Sequence, residues 1–333
     1  MTGFLRKIGA TIALGVAFTT GAMAADFAPV LLYDIGGKFD KSFNEAAHTG
    51  GERFKEETSL DYKDFEPNSE TQYEQALKRF ARRKADLIIA VGVGYSVAVR
   101  NVASKYPDVK FTVIDAIIDL PNVQSITFKE NEGSFLVGMI AAMKTESNTI
   151  GFLGGMDIPL IRRFERGYRQ GAEYVKGDLT FIENYVGTTP SAWNDPIKAA
   201  EMARSQYARG ADIIFSAAGP SGLGSIQAAK DTGNLAIGVD SNQNHVAPGY
   251  VLTSMLKRVD LAVYHAMKAA EAGEWKPGHT VLGLAEGGVD FALDEYNADL
   301  ITPEMKAKLD DARAKIVSGE IVVSDVEGSN SGH

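Results

Sequence analysis

Two stretches of this sequence repeat one pattern. KADLIIAVGVGYSVAVRNVASKYPDVKFTVIDA (84–116) and GADIIFSAAGPSGLGSIQAAKDTGNLAIGVDS (210–241) each carry Ala-Asp, an apolar run, a small-residue loop with glycine, an amphipathic segment, a second apolar run and a closing aspartate. The interval from Asp86 to Asp115 nearly equals that from Asp212 to Asp240. The preceding stretches also correspond: VLLYDIGGKFDKSFNEAAHTGGERF (30–54) and IGFLGGMDIPLIRRFERGYRQGAEY (150–174) both read as strand, glycine loop, helix. Units this long do not stack as a short solenoid. They predict two α/β lobes of one topology, side by side.

The apolar runs are continuous rather than alternating, as in Asp86 to Val91, Lys110 to Ile114, Ile150 to Leu153, Asp212 to Phe215 and Leu235 to Val239. A strand that is apolar on both sides is covered on both sides, which predicts parallel sheets flanked by helices. Such sheets bind ligands beyond the carboxyl ends of their strands. This chain places Asp34, Gly92-Val93-Gly94, Asp115, Gly154-Gly155, Ala217-Ala218-Gly219 and Asp240 at those ends. Two such rims facing each other form a cleft.

The first residues read as an export signal: Arg6 and Lys7, an apolar stretch from Ile8 to Phe18, and Ala22-Met23-Ala24 as a cleavage site. No later run reaches the roughly 20 apolar residues of a membrane helix. Of the 333 residues, those after the signal at 1–24 are enough for two domains. A net charge of −9 with no basic stripe gives no general attraction to nucleic acid. The absence of cysteine excludes disulfides, thiolate metal sites and a lipidated cysteine. The expectation is a periplasmic protein, not lipid-anchored.

Several residues stand out. Ser42-Phe43-Asn44-Glu45 has the form of a capping box, which gives Ser42 a structural role. Phe43 follows in the first turn, and Asn44 offers an amide that donates and accepts. Asp34, Asp115 and Asp240 all close strands. Each alone fits a turn, but together they suit a hydroxyl-rich neutral or cationic ligand. Trp193 lies in a polar loop, before Asp195 as N-cap and Pro196 at the first helical position. Lys257 follows a strand-like run in VLTSMLKRVD. The histidines show no metal spacing, and no nucleophile elbow, Walker loop or dinucleotide fingerprint occurs.

GGKFDKSFNEAAHTGGERF, VIDAIIDLPNVQSITFKENEGSFLVG (113–138), GFLGGMDIPLIRRFERGYRQGA (151–172) and LTSMLKRVD (252–260) together resemble the basic membrane protein family of ABC-transporter solute-binding proteins, which includes purine-nucleoside receptors. The resemblance implies the type I periplasmic binding protein fold, with crossovers near 125, 255 and 281. The lobes would be 25–125 with 256–281 and 126–255 with 282–333, after a signal peptide at 1–24. It implies a nucleoside base held between Phe43 and Trp193, with Asp115 on the base edge and Asp240 and Lys257 on the ribose. Gly219 would allow close backbone approach, and Asp34 and Asn44 would complete the wall. The chain differs from many members in Phe39-Asp40, in Trp193 for a phenylalanine, and in lacking the lipoprotein cysteine.

The resulting expectation is a monomeric binding protein without cofactor or catalysis, handing a nucleoside to an ABC permease. The alternatives are a sugar, flavin or signalling ligand on the same fold, or a nucleoside hydrolase, for which the clustered carboxylates are missing. N-terminal sequencing of exported protein checks the signal: a chain beginning at Ala25 is expected, and one still beginning at Met1 overturns it.

Overall fold

The computed structural model describes residues 27–325, so the expected signal segment and cleavage site lie outside the described residues. The chain first builds β1 (Pro29–Leu32), α1 (Phe43–Thr58), β2 (Lys63–Phe65), α2 (Tyr73–Arg82), β3 (Leu87–Val91), α3 (Ser96–Ala103), β4 (Lys110–Ile114) and β5 (Val123–Phe128). A second set follows: α4 (Glu130–Lys144), β6 (Thr149–Met156), α5 (Pro159–Val175), β7 (Thr180–Gly187), α6 (Pro196–Ala208), β8 (Ile213–Ala217), α7 (Gly222–Thr232), β9 (Leu235–Asp240) and β10 (Val251–Lys257). The last elements are α8 (Val259–Glu271), β11 (Gly278–Leu282), β12 (Val289–Phe291) and α9 (Pro303–Ser318).

The strands form two six-stranded sheets, ordered β11-β5-β4-β3-β1-β2 and β12-β10-β9-β8-β6-β7. Every pairing is parallel except β10 with β12, so the two α/β lobes are of one design, with an antiparallel edge on the second. The chain passes between sheets after Phe128, after Lys257 and after Leu282. Leu87 to Val91 and Ile213 to Ala217 are buried at every residue, as their unbroken apolar runs require.

Helix α4 is buried from Glu130 through Ala142 and lies against α5. Their close approach depends on residues without side chains. A Cβ at Gly171 would sit 1.9 Å from the Phe135 carbonyl oxygen, and one at Gly138 would sit 2.0 Å from that of Tyr168. Among the described residues no helix is long and apolar enough to cross a membrane.

The capping expectation for α1 is corrected. Ser42 precedes the helix but its side chain makes no cap bond. Asp40 caps instead, accepting the amides of Ser42 at 2.8 Å, Glu45 at 3.0 Å and Asn44 at 3.0 Å. Lys41, at φ 61°, turns the chain so that the carboxylate before it faces the free amides. Glu45 does reach back, but to the Lys41 amide at 3.0 Å. Farther on, Asp195 caps α6 as expected, accepting the Lys198 amide at 3.0 Å with Pro196 opening the helix.

Gly171→Ala should destabilise the protein by about 1–3 kcal/mol or more, because the backbone of α4 must move. Urea unfolding should show the loss, while Gly210→Ala, with open space around its Cβ position, should lose only what its φ of 101° imposes.

Candidate functional site

The carboxyl ends of both sheets face one cleft of about 510 Å3, and Asp34, Phe43, Asn44, Asp115, Trp193, Gly219, Asp240 and Lys257 all line it. Asp115 and Asp240 occupy equivalent places, just past β4 and closing β9, and share one unusual backbone conformation, φ 67° and 65°. Left-handed φ at an aspartate is uncommon and turns its side chain away from the strand's course. The duplicated sequence pattern therefore ends in a duplicated geometry.

The first lobe supplies most of the polar wall. Asp34 accepts the Ile35 amide at 2.8 Å and the Tyr73 hydroxyl, and Tyr73 is stacked on Tyr95 at 3.8 Å. Gly92, at φ 111°, leaves the room Asp34 occupies, since a Cβ there would lie 2.2 Å from its Oδ2. Asn44 is buried and its amide is committed to the glycine loop. Its Oδ1 accepts the Asp34 amide at 2.9 Å, and its Nδ2 donates to the carbonyls of Asp34 and Gly37 at 3.1 and 3.2 Å. Asn44 thus shapes the wall and presents its carbon face and remaining lone pair rather than a free amide.

The second lobe supplies the apolar wall: Met156, Ile158, Pro159, Leu160 and the Trp193 ring. Trp193 packs on Gly155, where a Cβ would come within 2.2 Å of the indole. Ser221 pins its loop from both sides, accepting the Asp195 amide at 2.7 Å and donating to the Ala192 carbonyl at 2.8 Å. Gly219 holds φ 55° beside it. Trp275 is elsewhere, its Nε1 donating to Thr112 Oγ1 at 3.0 Å.

Lys257 is the buried centre. Its Nζ lies 2.6 Å from Asp115 Oδ2 and 3.0 Å from Glu130 Oε1, and within 5.2 Å of the Phe43 ring centre. Glu130, fully buried at the start of α4, also accepts Arg163 Nε at 2.8 Å. Asp115 Oδ1 has no hydrogen-bond partner among the described residues. Burial pushes the carboxyls of Asp34, Asp40, Asp115 and Asp240 up to about 6, in Asp115 against the opposing pull of Lys257. Burial works against the Lys257 charge, but the Asp115, Glu130 and Asp240 carboxylates outweigh it and raise its pKa.

The lobes also meet directly. Ser42 Oγ donates to Asp240 Oδ2 at 2.6 Å, Ser241 Oγ donates to the Ser42 carbonyl at 2.6 Å, and Gln243 Nε2 donates to the Lys41 carbonyl at 2.9 Å. Sequence reasoning missed Glu130, Arg163 and the bond from Ser42 to Asp240. Glu130 had one signal, an acid opening an otherwise apolar helix. The Ser42 bond had none, because its two residues stand 198 apart.

A family model described as ABC transporter substrate-binding protein, PnrA-like, matches residues 28–327. The chain belongs to the Bmp family. A nucleoside-binding protein of an ABC transporter from Lactococcus lactis is 31% identical over 92% of this chain and 91% of its own. Basic membrane protein A of Borreliella burgdorferi is 32% identical over 91% and 89%. A lipoprotein of Pyrococcus horikoshii is 36% identical over 78% and 67%. A solute-binding protein of an ABC transporter system from Aeropyrum pernix superposes with a TM-score of 0.83 at 28% identity, covering 91% of this chain and 95% of that one. Bmp membership makes this a substrate-binding protein that works outside the cytoplasm, with a small ligand and an ABC transporter as partner. Several Bmp relatives are lipoproteins, whereas the present sequence has no cysteine.

Replacing Lys257 with Met should strand Asp115 and Glu130 and destabilise the fold by about 3–5 kcal/mol. Asp115 titrates from an unfolded value near 3.8 to about 6 when folded, and higher without the ammonium. An acid with a raised folded pKa weakens the fold once ionised. The deficit should therefore be full above that pKa and shrink as pH falls toward 4. Urea unfolding at several pH values checks this. A deficit independent of pH would rule out the electrostatic cause.

Proposed function

We propose that the protein captures a nucleoside, a purine one by preference, between its lobes and delivers it to an ABC importer without acting on it chemically. The observation that carries this reading is one cleft lined by an aromatic ring from each lobe, Phe43 and Trp193, together with buried carboxylates around Lys257. A base has flat faces for the rings, and ribose has adjacent hydroxyls for carboxylates. The cleft volume of about 510 Å3 suits a ligand of that size. The nucleoside-binding relative from Lactococcus lactis supports the same ligand class.

In this reading Asp115 Oδ1, which has no hydrogen-bond partner among the described residues, accepts a ligand N–H or O–H, and Asp240 accepts ribose hydroxyls beside Lys257. Asp34 and Asn44 bound the base edge, and Gly219 lets the backbone approach. We read the protein as a monomer that works in the periplasm after signal cleavage. Ligand favours the closed arrangement because it touches both walls only there.

Tryptophan fluorescence should change saturably with adenosine, guanosine or inosine, and Trp193→Ala should abolish the change while Trp275→Phe keeps it. Stacking of this kind is worth about 1–3 kcal/mol, so Trp193→Ala should weaken binding by about ten- to a hundredfold. Asp240→Ala should cost about 1.5–3 kcal/mol of binding. Since Asp115 and Asp240 titrate at about 6, affinity should fall as pH drops below that value and their acceptor form is lost. Calorimetry checks both. Unchanged nucleoside affinity in Trp193→Ala and Asp240→Ala would defeat the clamp.

A further inference from the structure

Glu130 does not line the cleft, yet it touches two residues that do. Its Oε1 lies 3.0 Å from Lys257 Nζ and its Oε2 2.8 Å from Arg163 Nε. Its side chain is fully buried, and it opens α4 directly after the first crossing between sheets. Arg163 stands in the second turn of α5, half-buried, and makes no ion pair with any other described residue. Lys257 has Asp115 as its other partner, at 2.6 Å. Both cations of this part of the cleft are therefore held from behind by one carboxylate. Five acids line the cleft, Asp34, Asp40, Glu70, Asp115 and Asp240, against two bases, Lys257 and Arg163, and Glu130 stands behind as a sixth acid.

We propose that Glu130 sets the charge of ligand the cleft accepts: by taking Lys257 and Arg163 on its two oxygens, it withholds both cations from an anionic ligand, so neutral or cationic solutes enter and phosphorylated ones are refused. The reason is elementary. A phosphate entering beside Asp115 and Asp240 needs at least one uncommitted cation to offset their repulsion. Lysine and arginine near a ligand site ordinarily supply it. Here both cations line the cleft, but ion pairing to Glu130 offsets their charge. Lys257 pairs with Asp115 through Oδ2, which leaves Oδ1, without a hydrogen-bond partner among the described residues, to accept a ligand hydroxyl. Glu130 is thus a positioning residue that acts through its partners. The inference rests on the nucleoside reading, which supplies its probes.

The test is calorimetric titration of the full chain, at neutral pH, with three adenosine derivatives that differ at the 5′ position: the amine, a cation; the hydroxyl, adenosine itself; and the monophosphate, an anion. The wild type should bind the first two and refuse the third by at least about a hundredfold. Removing one charge about 10 Å from the ligand, behind the lining residues, at an effective dielectric near 20 changes a charged-to-neutral ratio by about tenfold. Glu130→Gln should therefore narrow both discriminations by that factor, favouring the monophosphate and disfavouring the amine relative to adenosine. Arg163→Gln, at a half-buried position that tolerates change better, should move the amine preference the opposite way. Should Glu130→Gln not fold alone, the double variant Glu130→Gln/Arg163→Gln is compared with Arg163→Gln, and the difference in their ligand ratios is the effect of Glu130. If a variant weakens all three ligands alike, with ratios unmoved, Glu130 is merely structural and the proposal is overturned. If wild type binds no nucleoside, the ligand reading fails first and takes the proposal with it.

Discussion

The arrangement depends on one buried ammonium. Lys257 closes β10 at the point where the chain returns to the first lobe, and its Nζ meets Asp115 of the first lobe and Glu130 of the helix that begins the second. A lysine so enclosed is tolerated only when it is paired, and each of its carboxylates is tolerated for the same reason. The rings of Phe43, Phe128 and Phe164 stand within 5.2, 5.0 and 5.6 Å and keep water from the pair. Two of the three crossings between sheets thus converge on one charge. The third is tied nearby, with Glu132 accepting the Leu284 amide at 2.8 Å and Gly288 accepting the Arg258 amide at 2.8 Å.

From that centre the cleft divides by chemistry. The first lobe brings Asp34, Asp40 and Asp115, and the second brings most of the apolar surface together with Asp240. A ligand that is flat and apolar on its faces but polar around its edge satisfies both halves at once. Burial raises the acids to about 6, so the cleft is poised in the range where carboxylates still ionise at neutral pH yet respond to mild acid. The inter-lobe bonds from Ser42, Ser241 and Gln243 add a polar seam between the lobes. Their worth in water is modest individually.

Much of this was legible in the chain. The unbroken apolar runs dictate parallel sheets, because only a strand covered on both sides can be apolar on both sides. The repeat of 84–116 in 210–241 dictates two lobes, and the aspartates closing each unit mark their facing rims. Trp193, in a loop without apolar periodicity, stands out on local grounds, whereas Lys257, at a strand's end, is marked as a site residue only by the family resemblance. The reading of Ser42 as a cap was local too, and it failed because the left-handed turn at Lys41 gives that task to Asp40 and releases Ser42 to the other lobe.

The sequence by itself determined the class of fold, the number of lobes and the residues at the strand ends, since these follow from hydrophobic period and turn chemistry within a few residues. Only the tertiary structure decided which charges share the low-dielectric interior. The contacts of Lys257 with Asp115, Ser42 with Asp240 and Glu130 with Arg163 join residues 142, 198 and 33 apart. An ion pair leaves no periodic trace in a sequence. Its partners are chosen by distance and burial, and those exist only after the sheets have packed.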